Sequence, residues 1–151
     1  MDEHIRIAGE GFDLITSRVV DATPQQVWNA FADPDRLARW WGPAGFRNSF
    51  RHFDLRAGGD WIFTMHGPDG TDYPNHSVFV ELHTARRVVF DHVNAPHFRF
   101  TLTLDEEGGR TRVGWCQRFA TAAERDRIAK FAAPANEQNL DRLQAELART
   151  A

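Results

Sequence analysis

The stretch RLARWWGPAGF, Arg36 to Phe46, sets two tryptophans side by side and follows them at once with Gly42-Pro43. Successive side chains on a helix point about 100° apart, so one helical face cannot bury both rings. The backbone has to change conformation at this point, and glycine before proline suits that change. Trp40 lies three residues after Leu37 on one helical stripe and is expected to enter the core. Trp41, directly before the glycine, is expected to edge the mouth of a cavity.

Working outward, Asp33 can cap and Pro34 can open the short helix that carries Leu37 and the tryptophans. Ahead of it, Thr23-Pro24-Gln25-Gln26 is a capping box with proline at the first helical position, and Val27, Trp28 and Phe31 supply an apolar face. FDLITSRVV, Phe12 to Val20, reads as a first strand. From Phe46 to Phe119 strands and tight turns alternate. FRNSFRHFDL runs to Gly58-Gly59, and DWIFTMH sets Trp61, Phe63 and Met65 on one face against Ile62 and Thr64 on the other. GPDG, Gly67 to Gly70, is a turn. HSVFVELH and RRVVFDHV are parted by Thr84-Ala85, and FRFTLTL and TRVGWCQRF by Asp105 to Arg110, which predicts an antiparallel meander. By the same alternation Phe98, Phe100, Leu102 and Leu104 share one face, as do Val113, Trp115, Gln117 and Phe119.

A second capping box, Thr121 to Glu124, opens a helical tail. Its first part is expected to bury Ile128 and Phe131, and Pro134 to interrupt or restart the helix. Beyond it Leu140, Leu143 and Leu147 recur at spacings of three and four, an amphipathic face turned to a sheet. The expectation is a single α+β domain over residues 1–151, with about seven antiparallel strands and two short helices between the first and second.

The chain has 151 residues, enough for a domain that buries roughly 70% of its unfolded surface. One cysteine, Cys116, excludes an internal disulfide and a cysteine zinc site and suits a reducing compartment. The opening MDEHIRIAGEGFDLITS is charged and broken by glycine, unlike a secretory leader or membrane span, so a cytoplasmic location is expected. A net charge of −3, with 18 lysines and arginines spread along the chain, supplies no basic stripe for nucleic acid. Twelve phenylalanines and five tryptophans stand against one tyrosine, a balance that favours apolar filling.

TPQQVWNAFADPDRLARWWGP, DLRAGGDWIFTMHGPDGTDYPN, FVELHTARRVVF and EQNLDRLQAEL, in this order from Thr23 to Leu147, resemble the SRPBCC (START / Bet v 1-like) superfamily. Within it they resemble the family named after the activator of heat-shock protein 90 ATPase. The resemblance implies the helix-grip fold: a curved sheet wrapped round a long C-terminal helix, with an apolar cavity between them. The superfamily includes lipid carriers, hormone receptors and cyclases, so the fold alone does not name an activity. In the eukaryotic activator this domain is joined to a separate N-terminal domain that supplies much of the chaperone contact, and the match here covers the C-terminal half only.

Three functions follow as expectations. The first is binding of an apolar small molecule in the cavity, with Trp41, Phe63, Met65, His66, Phe79, Phe100, Trp115, Gln117 and Phe131 as the binding residues and Ala129, Ala132 and Ala133 leaving room for it. No cofactor, metal or catalytic group is assigned. The second is a polyketide cyclase-like enzyme in which a cavity group moves a proton, with His66, His76, His92 and Glu81 as candidates in that order. Asp91 and His92 point to opposite faces of one strand and cannot share a cavity. The third is a chaperone-interaction module, suggested by the family name. A homodimer through a sheet edge or the first strand is also allowed. No HExxH or H-x-H spacing offers a metal site, Gly58-Gly59 and GPDG read as turns and not phosphate loops, and Asp105-Glu106-Glu107 reads as a solvated hairpin tip.

Overall fold

The computed structural model describes residues 11–150. Strand β1 (Asp13–Val20) is followed by helices α1 (Pro24–Ala32) and α2 (Pro34–Trp40). Then come β2 (Arg47–Phe53), β3 (Asp60–His66), β4 (Asp72–His83), β5 (Arg87–His92), β6 (Phe98–Glu107), β7 (Arg110–Arg118) and α3 (Ala122–Arg149). The seven strands form one antiparallel sheet in the order β1-β7-β6-β5-β4-β3-β2. This is the helix-grip arrangement. Register shifts between Phe50 and His52 and between Phe79 and Glu81 bend β2 and β4, and bulges of this kind give a sheet the curl it needs to wrap a helix.

Local chemistry sets the helix starts. Thr23 accepts from the Gln26 amide while the Gln26 side chain takes the Thr23 N–H, the full capping box, and Pro24 opens α1. Asp33 caps α2 through the Asp35 amide, and Thr121 caps α3 through the Glu124 amide. At Gly59 an added Cβ would lie 2.1 Å from the Asp54 carbonyl oxygen, so this turn admits no side chain.

Phe31 of α1 is fully buried and meets Trp40, Trp41, Phe53, Trp61 and Phe79, filling one end of the concave face. Leu140, Leu143 and Leu147 of α3 complete that core. The buried residues of α3 begin at Asn136, and its first half is at most half-buried, with Arg125 donating to the Gly11 carbonyl beside β1.

Three expectations for α3 fail, the first because Ile128 is half-buried and not in the core. Pro134 lies inside one continuous helix. Both it and Lys130, whose carbonyl loses its helical partner to the proline, are exposed, so water can take the place of the missing bond. Phe131 is not buried but 76% exposed. The stripe of α3 turned to the sheet runs through Ala132, Ala135, Asn136, Asn139 and Leu143, and Phe131 falls off it.

Strand β4 begins at Asp72, four residues before the expected His76. Proline at 74 argues against a central strand. Here β5 has already ended, since its last pair is Ser77 with His92, and Asn94 takes over by donating to the Pro74 carbonyl and accepting from the His76 N–H. The hairpin between β6 and β7 is also tighter than expected, with Gly108 and Gly109 at positive φ as its two turn residues.

Candidate functional site

Between the sheet and the middle of α3 lies a recess of about 190 Å³. Its walls are aromatic: Phe63 of β3, Phe90 of β5, Phe98 and Phe100 of β6, Trp115 of β7, and Trp41. It meets a shallower outer recess of about 510 Å³, and Pro43, Met65, Asn75, His92 and Phe98 border both.

The end of α2 decides what the tryptophans do. Trp40 is the last helical residue, 1% exposed, and its indole N–H donates to the Ala30 carbonyl at 2.9 Å. Trp41 leaves the helix in extended conformation, which swings its ring to stack on Trp115 at 5.4 Å. Gly42 follows at φ +98°, where an added Cβ would sit 2.7 Å from Met65 Cε. Asn139 holds this bend by accepting from the Gly42 N–H at 3.0 Å and donating to the Trp40 carbonyl at 2.7 Å. The Arg142 guanidinium donates to the carbonyls of Arg39, Trp41, Gly42, Pro43 and Phe46, and burial lowers its pKa. A single side chain thus gathers the segment that carries Trp41.

Polar groups punctuate the walls. Asn136 of α3 donates to Gln117 Oε1 of β7 at 2.8 Å. His92 is 8% exposed, stacks on Phe98, and places Nδ1 2.7 Å from the Pro96 carbonyl and Nε2 2.8 Å from Asn75 Oδ1. A carbonyl only accepts, so Nδ1 carries a proton. Burial pushes the His92 pKa down, which favours the neutral ring. The hydrogen bonds pull the other way, because Asn75 spends its Nδ2 on the Tyr73 carbonyl at 2.9 Å and so turns Oδ1, an acceptor, toward Nε2. Ser77 Oγ and Trp115 Nε1, on two other lining residues, are sealed and have no partner among the described residues.

Of the nine residues expected to bind, Trp41, Phe63, Met65, Phe100, Trp115 and Gln117 border the inner recess. His66, Phe79 and Phe131 do not. His66 sits beside inward-facing Met65 and so points away, bonded to Asp72 and Ser49 at 2.7 Å each. Phe79 is 1% exposed, parallel to Trp61 and against Phe31, within the filled end of the core. Phe131 is on the exposed side of α3.

Among the four proton-transfer candidates only His92 borders the recess. His76 pairs with Asp60, and Glu81 pairs with His83 in a separate surface groove. Asn75, Ser77, Phe90, Asn136 and Asn139 also line the recess and are not among the nine expected binding residues. Strand pairing could have found Phe90, which lies opposite Phe100, but the two asparagines of α3 depended on the phase of a helix thought to break at Pro134. Cys116 is buried and its thiol is pushed up to about 12, mainly by that burial, so it is a poor nucleophile. Among the described residues no group of three or more His, Cys, Asp or Glu is placed to hold a metal ion, and no helix is long and apolar enough to cross a membrane.

Solved structures share this fold. A Nitrosomonas europaea protein is 22% identical over 93% of this chain and 97% of its own, with a TM-score of 0.86. An Arthrobacter aurescens protein is 23% identical over 93% and 88%, with a TM-score of 0.85. An AHSA1 protein from Silicibacter pomeroyi is 21% identical over 92% and 99%, with a TM-score of 0.73. These likenesses are of fold alone. No curated protein matches the chain. The model of the family described as activator of Hsp90 ATPase homolog 1-like protein matches residues 21–148, from just past β1 to the last turn of α3, and the chain therefore belongs to this AHSA1 family of the SRPBCC superfamily.

Proposed function

We propose that the protein binds a compact, mainly apolar small molecule in the inner recess, with Trp41, Phe63, Met65, Phe100, Trp115 and Gln117 among its contacts. The observation that carries this reading is an aromatic-walled void beside a well-packed core. Phe31 and the leucines of α3 fill one end of the concave face, whereas the other end is edged by small Ala132 and Ala135 and stays open. Packed interiors leave few voids larger than a water molecule, and a concave apolar pocket with a few polar groups is the usual form of a ligand site. Native mass spectrometry of the purified protein, with tryptophan-fluorescence titration by 4-nitroaniline, a neutral single-ring dye, tests the reading. The expected result is a saturable quench with one site per chain. No co-purifying molecule and no quench at tens of micromolar would overturn it.

A second reading is favoured by His92 alone. Burial favours the neutral imidazole, Nδ1 donates to a carbonyl, and a ligand that displaces Asn75 Oδ1 from Nε2 beside the two recesses would meet the form a general base takes. On this reading the protein is a cyclase-like enzyme that removes a proton next to a carbonyl. Exchange of the central protons of a 1,3-diketone into D2O, followed by NMR, should then be faster with wild type than with His92→Gln. Equal rates would remove it.

A further inference from the structure

We propose that the inner recess takes a neutral single-ring ligand bearing a carboxamide, or an equivalent neighbouring acceptor and donor, which is read by the Gln117–Asn136 pair. The proposal rests on the small-molecule reading above and specifies the ligand's chemistry.

Each side-chain amide has two N–H donors and one carbonyl acceptor. One hydrogen bond of 2.8 Å joins Asn136 to Gln117. Whichever way round the two amides are turned, one spends an N–H and keeps its carbonyl, while the other spends its carbonyl and keeps its NH2. The pair therefore always offers one unspent acceptor beside one unspent donor. Among the described residues neither group has another partner, and neither is among the polar atoms sealed from water. Asn139, one turn along α3, is different, since both ends of its amide are committed to the backbone of Trp40 and Gly42.

A ligand that enters this aromatic-walled site takes the unspent amide groups out of water, at about 1–3 kcal/mol for each polar group left without a partner, unless it replaces those hydrogen bonds. A carboxamide completes them, because its carbonyl accepts from the free NH2 and its N–H donates to the free carbonyl. A carboxylate brings two acceptors and would set one against the unspent carbonyl.

Charge argues the same way. Among the described residues no Asp, Glu, Lys or Arg lines the inner recess. Nearby Arg142 spends its guanidinium on five backbone carbonyls, and His92 is held toward its neutral form by burial. An ionised ligand would lose its hydration without gaining a counter-charge.

Size sets the body of the ligand. A dry cavity of about 150 Å³ holds benzene, so about 190 Å³ suits one ring with a short substituent. A bulkier substituent would have to extend past His92 and Asn75 into the outer recess.

Calorimetric titration with benzamide, benzoate and ethylbenzene tests the proposal. Benzamide is expected to bind about tenfold more tightly than either of the others, the amount two net hydrogen bonds supply. Gln117→Met with Asn136→Leu should abolish that preference while ethylbenzene still binds. If the double variant does not fold, Gln117→Met alone, at a half-buried strand position, should reduce the same ratio. Ethylbenzene binding as tightly as benzamide would overturn this inference and leave the small-molecule reading standing, and so would a preference for benzoate. A recess that takes none of the three in wild type would count against both.

Discussion

Trp41 stacks on Trp115 with ring centroids 5.4 Å apart and planes 27° apart, joining the end of α2 to β7 across the wall of the inner recess. Trp40, its neighbour in the chain, is held instead by Ala30 and Phe31 inside the core. The two alanine substitutions should therefore fail differently. Trp40→Ala is expected to cost about 3–5 kcal/mol in a urea melt. Trp41→Ala should cost less and shift 4-nitroaniline affinity at least threefold. Equal destabilisation with unchanged dye affinity would show that both rings serve only as core.

Arg142 is the one side chain that contacts five carbonyls of the 39–46 segment, so its loss should act on that segment first. Arg142→Met should lower stability by about 2–3 kcal/mol, the scale of hydrogen bonds to a charged group. It should also speed amide exchange in residues 41–46 more than elsewhere. Uniform exchange across the fold would contradict this positioning role.

Glu146, 5% exposed, accepts from Arg36, Arg39 and Arg149 and ties α2 to the end of α3. Burial alone would raise its pKa, yet the hydrogen bonds from Arg39, Arg36 and Arg149 outweigh burial and hold it at about 2. A carboxyl depressed from 4.5 contributes stability that is full above about pH 4.5 and is lost as pH falls through about 2. Glu146→Gln should cost about 3 kcal/mol at pH 7 and flatten this acid limb. Melts of wild type and variant from pH 7 to pH 2.5 should converge.

His92 titrates in a different window. Burial lowers its folded pKa below 6.5, and the neighbouring His97 and His76 push the same way. The neutral ring's contribution is therefore complete above about pH 6.5 and is lost as pH falls toward the depressed value. Urea unfolding at pH 8, 6.5 and 5.5 should show a steeper loss for wild type than for His92→Gln. Parallel lines would mean that His92 is not held neutral.

Phe131 provides a control on the exposed side of α3. At 76% exposure, Phe131→Asp should change stability by less than about 0.5 kcal/mol and leave dye binding unaltered. A lost dye signal would place the ligand over the outer face of α3 and away from the recess.

Most of the fold was legible because it is written in local chemistry. The Thr23–Gln26 capping box, the Asp33-Pro34 restart and the alternation of Trp61, Phe63 and Met65 each act within a few residues, and each is found where the pattern puts it. The same alternation should have set His66 aside, since it adjoins an inward-facing methionine. Where reading failed, distant chain segments made the decision. Phe79 and Phe100 both point to the concave face, but only packing of Phe31 from α1 shows that the first is covered and the second is open. Phe131 was misread because Pro134 hid the phase of a helix that runs straight through it.

The sequence by itself thus determined the elements, their antiparallel order and the inward-facing rows, because capping, turn chemistry and strand parity are short-range effects. Only the tertiary structure decided where the recess lies and which polar groups meet in it. The recess lies where the middle of α3 sets Ala132, Ala135, Asn136 and Asn139 against the aromatic wall of the sheet, and the Gln117–Asn136 pair joins the two sides. Both depend on how side chains many residues apart fill or fail to fill a shared volume, and no local periodicity carries that information.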